Sequence, residues 1–179
     1  MRPSINVLGA SEVGKTGLIW RYTIRTAVYQ NDPTWTSCYR DSIQIGDKIF
    51  EFELVDSRGD ISNEQKENFI MHGDGFILVA AADSRKSMKE LQKLAEKIQT
   101  IREDKPPTIV VLNKQDIEEK RKVTTFQLES LANSFNFDFY EISVYLDLNV
   151  DFVMDKMHKM VLAWKGIEFG GRKKNCVTF

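Results

Sequence analysis

The residues best suited to chemistry stand together near the start of the chain as GASEVGKT, residues 9–16. This run fits G-x-x-x-x-G-K-[ST] and lies between an apolar strand pattern and a helical one, the setting in which a loop can cradle phosphate. Gly9 and Gly14 permit a tight turn whose backbone N–H groups surround phosphate oxygens, helped by the positive end of the helix that follows. Lys15 would neutralise the β and γ phosphates, and the Thr16 hydroxyl would reach Mg²⁺. Ser11, Glu12, Val13 and Gly17 complete the expected contact run. The loop by itself does not choose between ATP and GTP.

Two later segments address the base. LNKQD, residues 112–116, follows the strand-like TIVVL. In that position Asp116 can accept hydrogen bonds from the ring N–H and the exocyclic amino group of guanine together, a match adenine lacks. Asn113 and Lys114 would brace the loop and cover the ring. EIS, residues 141–143, also ends a strand, so that Ser143 and the backbone N–H of Val144 could meet the guanine carbonyl. Ligands of parallel sheets bind at such carboxyl ends.

The elements that must hold these loops follow from hydrophobic periodicity. SINVLG (4–9) reads as a buried strand feeding a helix, GKTGLIWRYTI (14–24). SIQIG (42–46) and KIFEFELVD (48–56) alternate with period two across a turn at Gly46 and Asp47, which predicts a hairpin and one antiparallel edge. GFILVAA (75–81), TIVVLN (108–113) and FDFYEIS (137–143) are further strands, the first two apolar throughout and therefore buried on both faces. Helices fill the gaps. In the last one, Leu148, Phe152, Val153, Met157, Met160, Val161 and Trp164 form an apolar stripe read as core. The pattern predicts an α/β fold with a mainly parallel sheet between helices.

A chain of 179 residues with 42% hydrophobic and 28% charged residues suits one globular domain. A formal net charge of -1 gives no general attraction to nucleic acid, and the chain is expected to act without it. The two cysteines, Cys38 and Cys176, form no disulfide framework, and no apolar run approaches the roughly 20 residues that span a bilayer. The two histidines, His72 and His158, lie in helical surroundings without ligand-like spacing and receive no chemical role.

With these segments in order, the sequence resembles the Ras-like small GTPases over about residues 4–164 plus the tail. NDPTWTSCYR (31–40) looks like the family's first switch, with Thr34 as the residue that reaches Mg²⁺ and the γ-phosphate; VDSRG (55–59) corresponds to the D-x-x-G second switch. The D-P-T and S-x-Y-R pattern points to the Ras branch. The resemblance implies a three-layer α/β P-loop GTPase fold, with a six-stranded, mostly parallel sheet, one antiparallel edge strand and helices on both faces. A G domain would span 1–166. It also implies a monomeric GTP/GDP switch whose metal residues are Thr16, Thr34 and Asp56, with Asp56 acting through water and the Gly59 N–H on the γ-phosphate. Effectors would dock on 31–40 and 56–70, and an exchange factor and a GTPase-activating protein are expected.

The departures from the family cluster where hydrolysis occurs. Family members commonly carry Gln after the D-x-x-G glycine, orienting the attacking water, and here Asp60 follows Gly59. Asp60 is shorter, donates no N–H and brings negative charge toward the phosphate, so slow hydrolysis is expected from a machinery of Lys15, Thr34, Gly59 and Asp60. Ser11 and Glu12 replace glycines, with Glu12 expected to face solvent. Arg58 has two readings, an internal arginine finger or, more ordinarily, a surface partner of Asp60 or Glu12. The aromatic residue that packs on guanine aligns near Ala27; Tyr29 could substitute, or nucleotide is held less tightly. Val144 and Tyr145 replace the family's alanine and lysine in the guanine loop.

Residues 167–179 end as GGRKKNCVTF, a basic tail expected to be flexible, whose Cys176 stands fourth from the end. Such a box invites prenylation, geranylgeranyl for a terminal Phe179, with Arg172, Lys173 and Lys174 as a second membrane signal. The expected location is the cytoplasmic face of a membrane, the plasma membrane foremost, with a cytosolic pool. The competing function is a nucleotide-bound scaffold with little or no GTPase activity. A P-loop kinase using ATP ranks below both because it leaves NKQD unexplained.

Overall fold

A computed structural model describes residues 2–26, 37–57 and 61–167. Eleven elements follow in chain order: β1 (Ser4–Gly9), α1 (Lys15–Thr26), β2 (Ser37–Ile45), β3 (Lys48–Asp56), α2 (Asn63–His72), β4 (Gly75–Ala81), α3 (Arg85–Ile101), β5 (Thr108–Asn113), α4 (Thr125–Phe135), β6 (Asp138–Glu141) and α5 (Val150–Trp164). They build one six-stranded sheet in the order β2-β3-β1-β4-β5-β6. β1, β3, β4, β5 and β6 run parallel, and the β2–β3 hairpin supplies the antiparallel edge.

Alternation within the apolar strands explains their continuous hydrophobicity. Ile77 and Val79 of β4 and Ile109 and Val111 of β5 pack with Leu18 and Ile19 of α1 and Val153, Met157 and Val161 of α5. Their neighbours Phe76, Leu78, Ala80, Val110 and Leu112 face the opposite way, against Ile70 of α2, Leu91, Leu94 and Ile98 of α3, and Leu128 of α4. Both faces are thus covered, and a strand buried on both sides carries no polar alternation. Each fully buried large side chain contributes about 1.5–3 kcal/mol, which makes this double core the frame for the loops above it.

β1, β4 and β5 coincide with the expected strands, and three expectations need correction. β2 begins at Ser37 rather than Ser42 and pairs with β3 along its length, from Ser37↔Asp56 to Ile45↔Lys48. The early part went unread because an inward position, in step with buried Tyr39, holds the buried acid Asp41 and breaks the apolar alternation. β6 is shorter than 137–143. The core face of α5 is Val150, Val153, Met154, Met157, His158, Val161 and Leu162. Phe152 is 55% exposed and Leu148, which precedes the helix, 47% exposed. Phe152 instead packs edge-on against Tyr140, ring centroids 5.2 Å apart. His158, polar in type yet fully buried, belonged to the stripe all along; it lies 3.0 Å from Asp41 and against the Phe52 ring.

Candidate nucleotide site

The loops that leave the carboxyl ends of β1, β4, β5 and β6 meet in one place, beside the end of β3 at Asp56. The phosphate loop is shaped by contacts that only glycine allows. A Cβ on Gly9 would stand 2.3 Å from the Val79 carbonyl oxygen of β4. Gly14 has φ +98°, and a Cβ there would stand 2.3 Å from the Asn113 amide nitrogen. Between them Val13 is buried and anchors the loop, while Ser11 and Glu12 are exposed, Glu12 with φ 64°. Glu12 thus lies at the surface, where it was expected to point to solvent.

The Lys15 ammonium donates to the carbonyls of Gly9 at 3.1 Å and Ala10 at 2.7 Å, which holds its charge against the loop. The Thr16 hydroxyl donates to Asp56 Oδ2 at 2.5 Å. Asp56 is buried, and its Oδ1 has no hydrogen-bond partner among the described residues. Burial raises the Asp56 pKa above the usual carboxylate value; the Thr16 bond and the Lys15 charge oppose that rise. A buried carboxylate beside a hydroxyl, with an oxygen to spare, is the hard oxygen set that suits Mg²⁺. Among the described residues no group of three or more His, Cys, Asp or Glu could hold a metal.

At the base end, Asn113 ties two loops together. Its amide nitrogen donates to the Val13 carbonyl at 2.9 Å, and its amide oxygen accepts from the Val144 N–H at 3.1 Å. Ser143, fully buried, donates its hydroxyl to Asp116 Oδ1 at 2.5 Å and accepts from Leu146 N at 3.0 Å. Backbone bonds between Ser143 and Leu148 close that loop in both directions. Lys114, at φ 67°, sends its ammonium to Asp83. Gly17 sits in the first turn of α1, where a Cβ would meet a Val144 methyl at 3.1 Å, so α1 and the 143–148 loop are in close contact.

Of the expected site residues, Gly9, Ser11, Glu12, Val13, Gly14, Lys15, Thr16, Gly17, Asp56, Asn113, Lys114, Asp116, Ser143 and Val144 converge on this end of the sheet. Tyr29, Thr34, Arg58, Gly59, Asp60 and Cys176 lie outside the described residues, as does Ala27. α2 is held by ion pairs to α3, Lys66 with Glu90 at 2.5 Å and Glu67 with Lys97 at 2.7 Å. Arg102 donates to the Ile70 and Gly73 carbonyls at the end of α2. The cleft lined by Arg102, Pro106, Phe135 and Met160 opens at the opposite, amino ends of β5 and β6 and takes no part in this arrangement.

The sequence reading missed Asp83 and the Arg21–Asp147 pair, which links α1 to the 143–148 loop at 3.3 Å. No motif marks either. Strand order would have found Asp83: Ala81 of β4 is in register with Asn113 of β5, so residues just past each strand end become neighbours.

A glycine-bounded phosphate loop, a Thr–Asp oxygen pair and an N-K-x-D loop at one end of a mostly parallel sheet define a nucleotide-binding P-loop protein. Comparison with known proteins narrows the class. The Ras family profile matches residues 4–163. The chain is 32% identical over 152 residues to the Ras-like protein rasU of Dictyostelium discoideum, covering 84% of this chain and 71% of that protein. It is 32% identical over 138 residues to the human Ras-related and estrogen-regulated growth inhibitor, covering 76% and 69%. It is 34% identical over 149 residues to Ras-like protein 1 of Saccharomyces cerevisiae, covering 82% and 48%. This chain belongs to the Ras family of small GTPases, GTP-binding switches whose members hydrolyse GTP.

Proposed function

We propose that this protein is a Mg²⁺-dependent GTP/GDP switch that holds its nucleotide through Gly9–Gly17, Asp56, Asn113, Lys114, Asp116, Ser143 and Val144, and that it hydrolyses GTP slowly. The observation that carries the reading is Asn113, whose one amide joins the phosphate loop to the base loop. Asp116, steadied by Ser143, reads the guanine N–H and amino group. Lys15 counters phosphate charge from its seat on the Gly9 and Ala10 carbonyls. Bound Mg²⁺ would neutralise β and γ oxygens, and Thr16, Asp56 and Thr34 are the residues to hold it.

Hydrolysis adds water to the γ-phosphorus and breaks its bond to the bridging oxygen, leaving GDP and phosphate. Gly59 would offer its N–H to the γ-phosphate. Asp60 would accept a hydrogen bond from water but has no N–H to donate as Gln does, and its charge opposes the developing one. Single-turnover hydrolysis of bound GTP in the wild type and Asp60→Gln tests this. A near-background wild-type rate that Gln raises at least roughly tenfold, about 1.4 kcal/mol of barrier, is expected. Equal rates would remove Asp60 as the cause. If both stay at background, the chain acts as a nucleotide-bound scaffold.

The same reading assigns 31–40 and 56–70 to effector binding, with an exchange factor and a GTPase-activating protein as further partners, to a monomeric protein. It assigns Cys176 to a prenyl group that, with the basic tail, brings the G domain of 1–166 to the cytoplasmic face of a membrane, the plasma membrane foremost. Membrane binding that survives Cys176→Ser would rule out prenylation as the anchor.

A further inference from the structure

We infer that Asp83 is a positioning residue for the base, acting through Lys114. The inference rests on the proposed guanine site. Lys114 Nζ lies 3.1 and 3.3 Å from the two carboxylate oxygens of Asp83, so the ammonium is bracketed rather than touched at one corner. Both side chains are largely shielded, 29% and 28% exposed, where an ion pair is less screened than at an open surface.

Each partner is fixed from behind. Asp83 follows Ala82, whose N–H donates to the Asn113 carbonyl at 2.9 Å and whose own carbonyl receives the N–H groups of Lys122 and Val123. It precedes Ser84, the cap of α3, whose hydroxyl accepts from Ser87 N. Lys114 has a backbone in the left-handed region, φ 67°, uncommon for a residue with a side chain, and a Lys114 carbonyl that accepts from Ile117 N. The long flexible stem of lysine would ordinarily sample many rotamers. Here both its ends are held, the Cα by the loop and the ammonium by Asp83, which leaves the methylenes fewer courses between them. A stem held in place presents an apolar edge to a purine face without spending the ordering entropy at the moment of binding.

Arg85, the nearest cation in sequence, is engaged elsewhere, its Nε on the Lys122 carbonyl at 3.3 Å. The carboxylate at 83 therefore serves Lys114. It sets how long the nucleotide stays, and leaves which base is chosen to Asp116.

Release of fluorescently labelled GDP from the Mg²⁺-loaded full chain tests this in wild type, Asp83→Asn, Asp83→Glu, Lys114→Ala and the Asp83→Asn/Lys114→Ala double variant. Asp83→Asn is expected to speed release three- to tenfold, Lys114→Ala at least as much, and the double no more than Lys114→Ala alone. Asp83→Glu, which restores the charge, should bring release back toward wild type, and the GTP preference over xanthosine triphosphate should be unchanged in both Asp83 single variants. Multiplying effects in the double variant, or Asp83→Asn at the wild-type rate while Lys114→Ala is fast, would overturn the role of Asp83. Lys114→Ala at the wild-type rate would instead overturn the base-covering role on which it rests.

Discussion

The two ends of the candidate site are built on opposite principles. At the base end, the side chains expected to meet the base are each hydrogen-bonded, Asn113 with Val13 and Val144, Ser143 with Asp116 and Leu146, Lys114 with Asp83, while the buried amide nitrogen of Gln115 between them lacks a partner among the described residues. At the phosphate end, the Asp56 carboxylate is buried, which raises its pKa, and one of its oxygens lacks a hydrogen-bond partner among the described residues. The first end is held in place to discriminate; the second keeps a buried carboxylate oxygen that a cation could engage. A switch needs both, because a site satisfied everywhere would not respond to what occupies it.

The harshest way to break that division is to sever the link between the ends. Gly14→Ala would drive a methyl into the Asn113 amide from a backbone at φ +98°. The expected outcome is a loss of GDP affinity of more than roughly a hundredfold, with about 3 kcal/mol lost from the fold. Calorimetric titration and thermal melting measure the two, and GDP affinity equal to that of the wild type would show that Asn113 is not the keystone.

A gentler break confines the damage to the base. Asp116→Asn replaces an acceptor by a group that can donate, and should invert the preference for GTP over xanthosine triphosphate by roughly a hundredfold, about 3 kcal/mol. Competition for labelled nucleotide reads it directly. Retained GTP preference would mean that Asp116 does not read the base. A control away from both ends is Asp41→Ala, which strips His158 of the carboxylate 3.0 Å away inside the core. About 2–3 kcal/mol of stability should go, lowering the melting temperature by roughly 4–12 °C, with base preference untouched. A changed base preference would mean that the core beneath β2 is coupled to the site.

How much of this was legible in the sequence follows the same division. The strands buried on both faces were readable to the residue, because a run such as GFILVAA has one physical explanation. The phosphate loop and Asp116 were readable because their spacing is dictated by the ligand. Asp41 and His158 hid β2 and part of α5, since a polar residue facing inward looks like a surface position until its partner is known. Asp83 was invisible for a different cause: its partner lies across a strand pairing, and pairing order is a property of the whole sheet rather than of any segment. The doubt raised by Asp60 was legible as chemistry, and it lies in 58–60, outside the described residues.

The smallest expected effect tests the phosphate end from the side of stability. Asp56→Asn keeps the size and an oxygen to accept from Thr16 but removes the charge that burial disfavours. Because burial raises the folded pKa, the folded state binds the proton more readily than the unfolded chain. The penalty is therefore absent below the ordinary carboxylate value, grows as pH rises through the raised one, and is complete above it. In EDTA and without nucleotide, Asp56→Asn should be the more stable protein at neutral pH by about 1 kcal/mol, some 2–4 °C in melting temperature, with the advantage fading on acidification. The same variant should lose the slowing of GDP release by Mg²⁺. A variant less stable than wild type at neutral pH would place Asp56 among the satisfied groups, and the contrast between the two ends would fall with it.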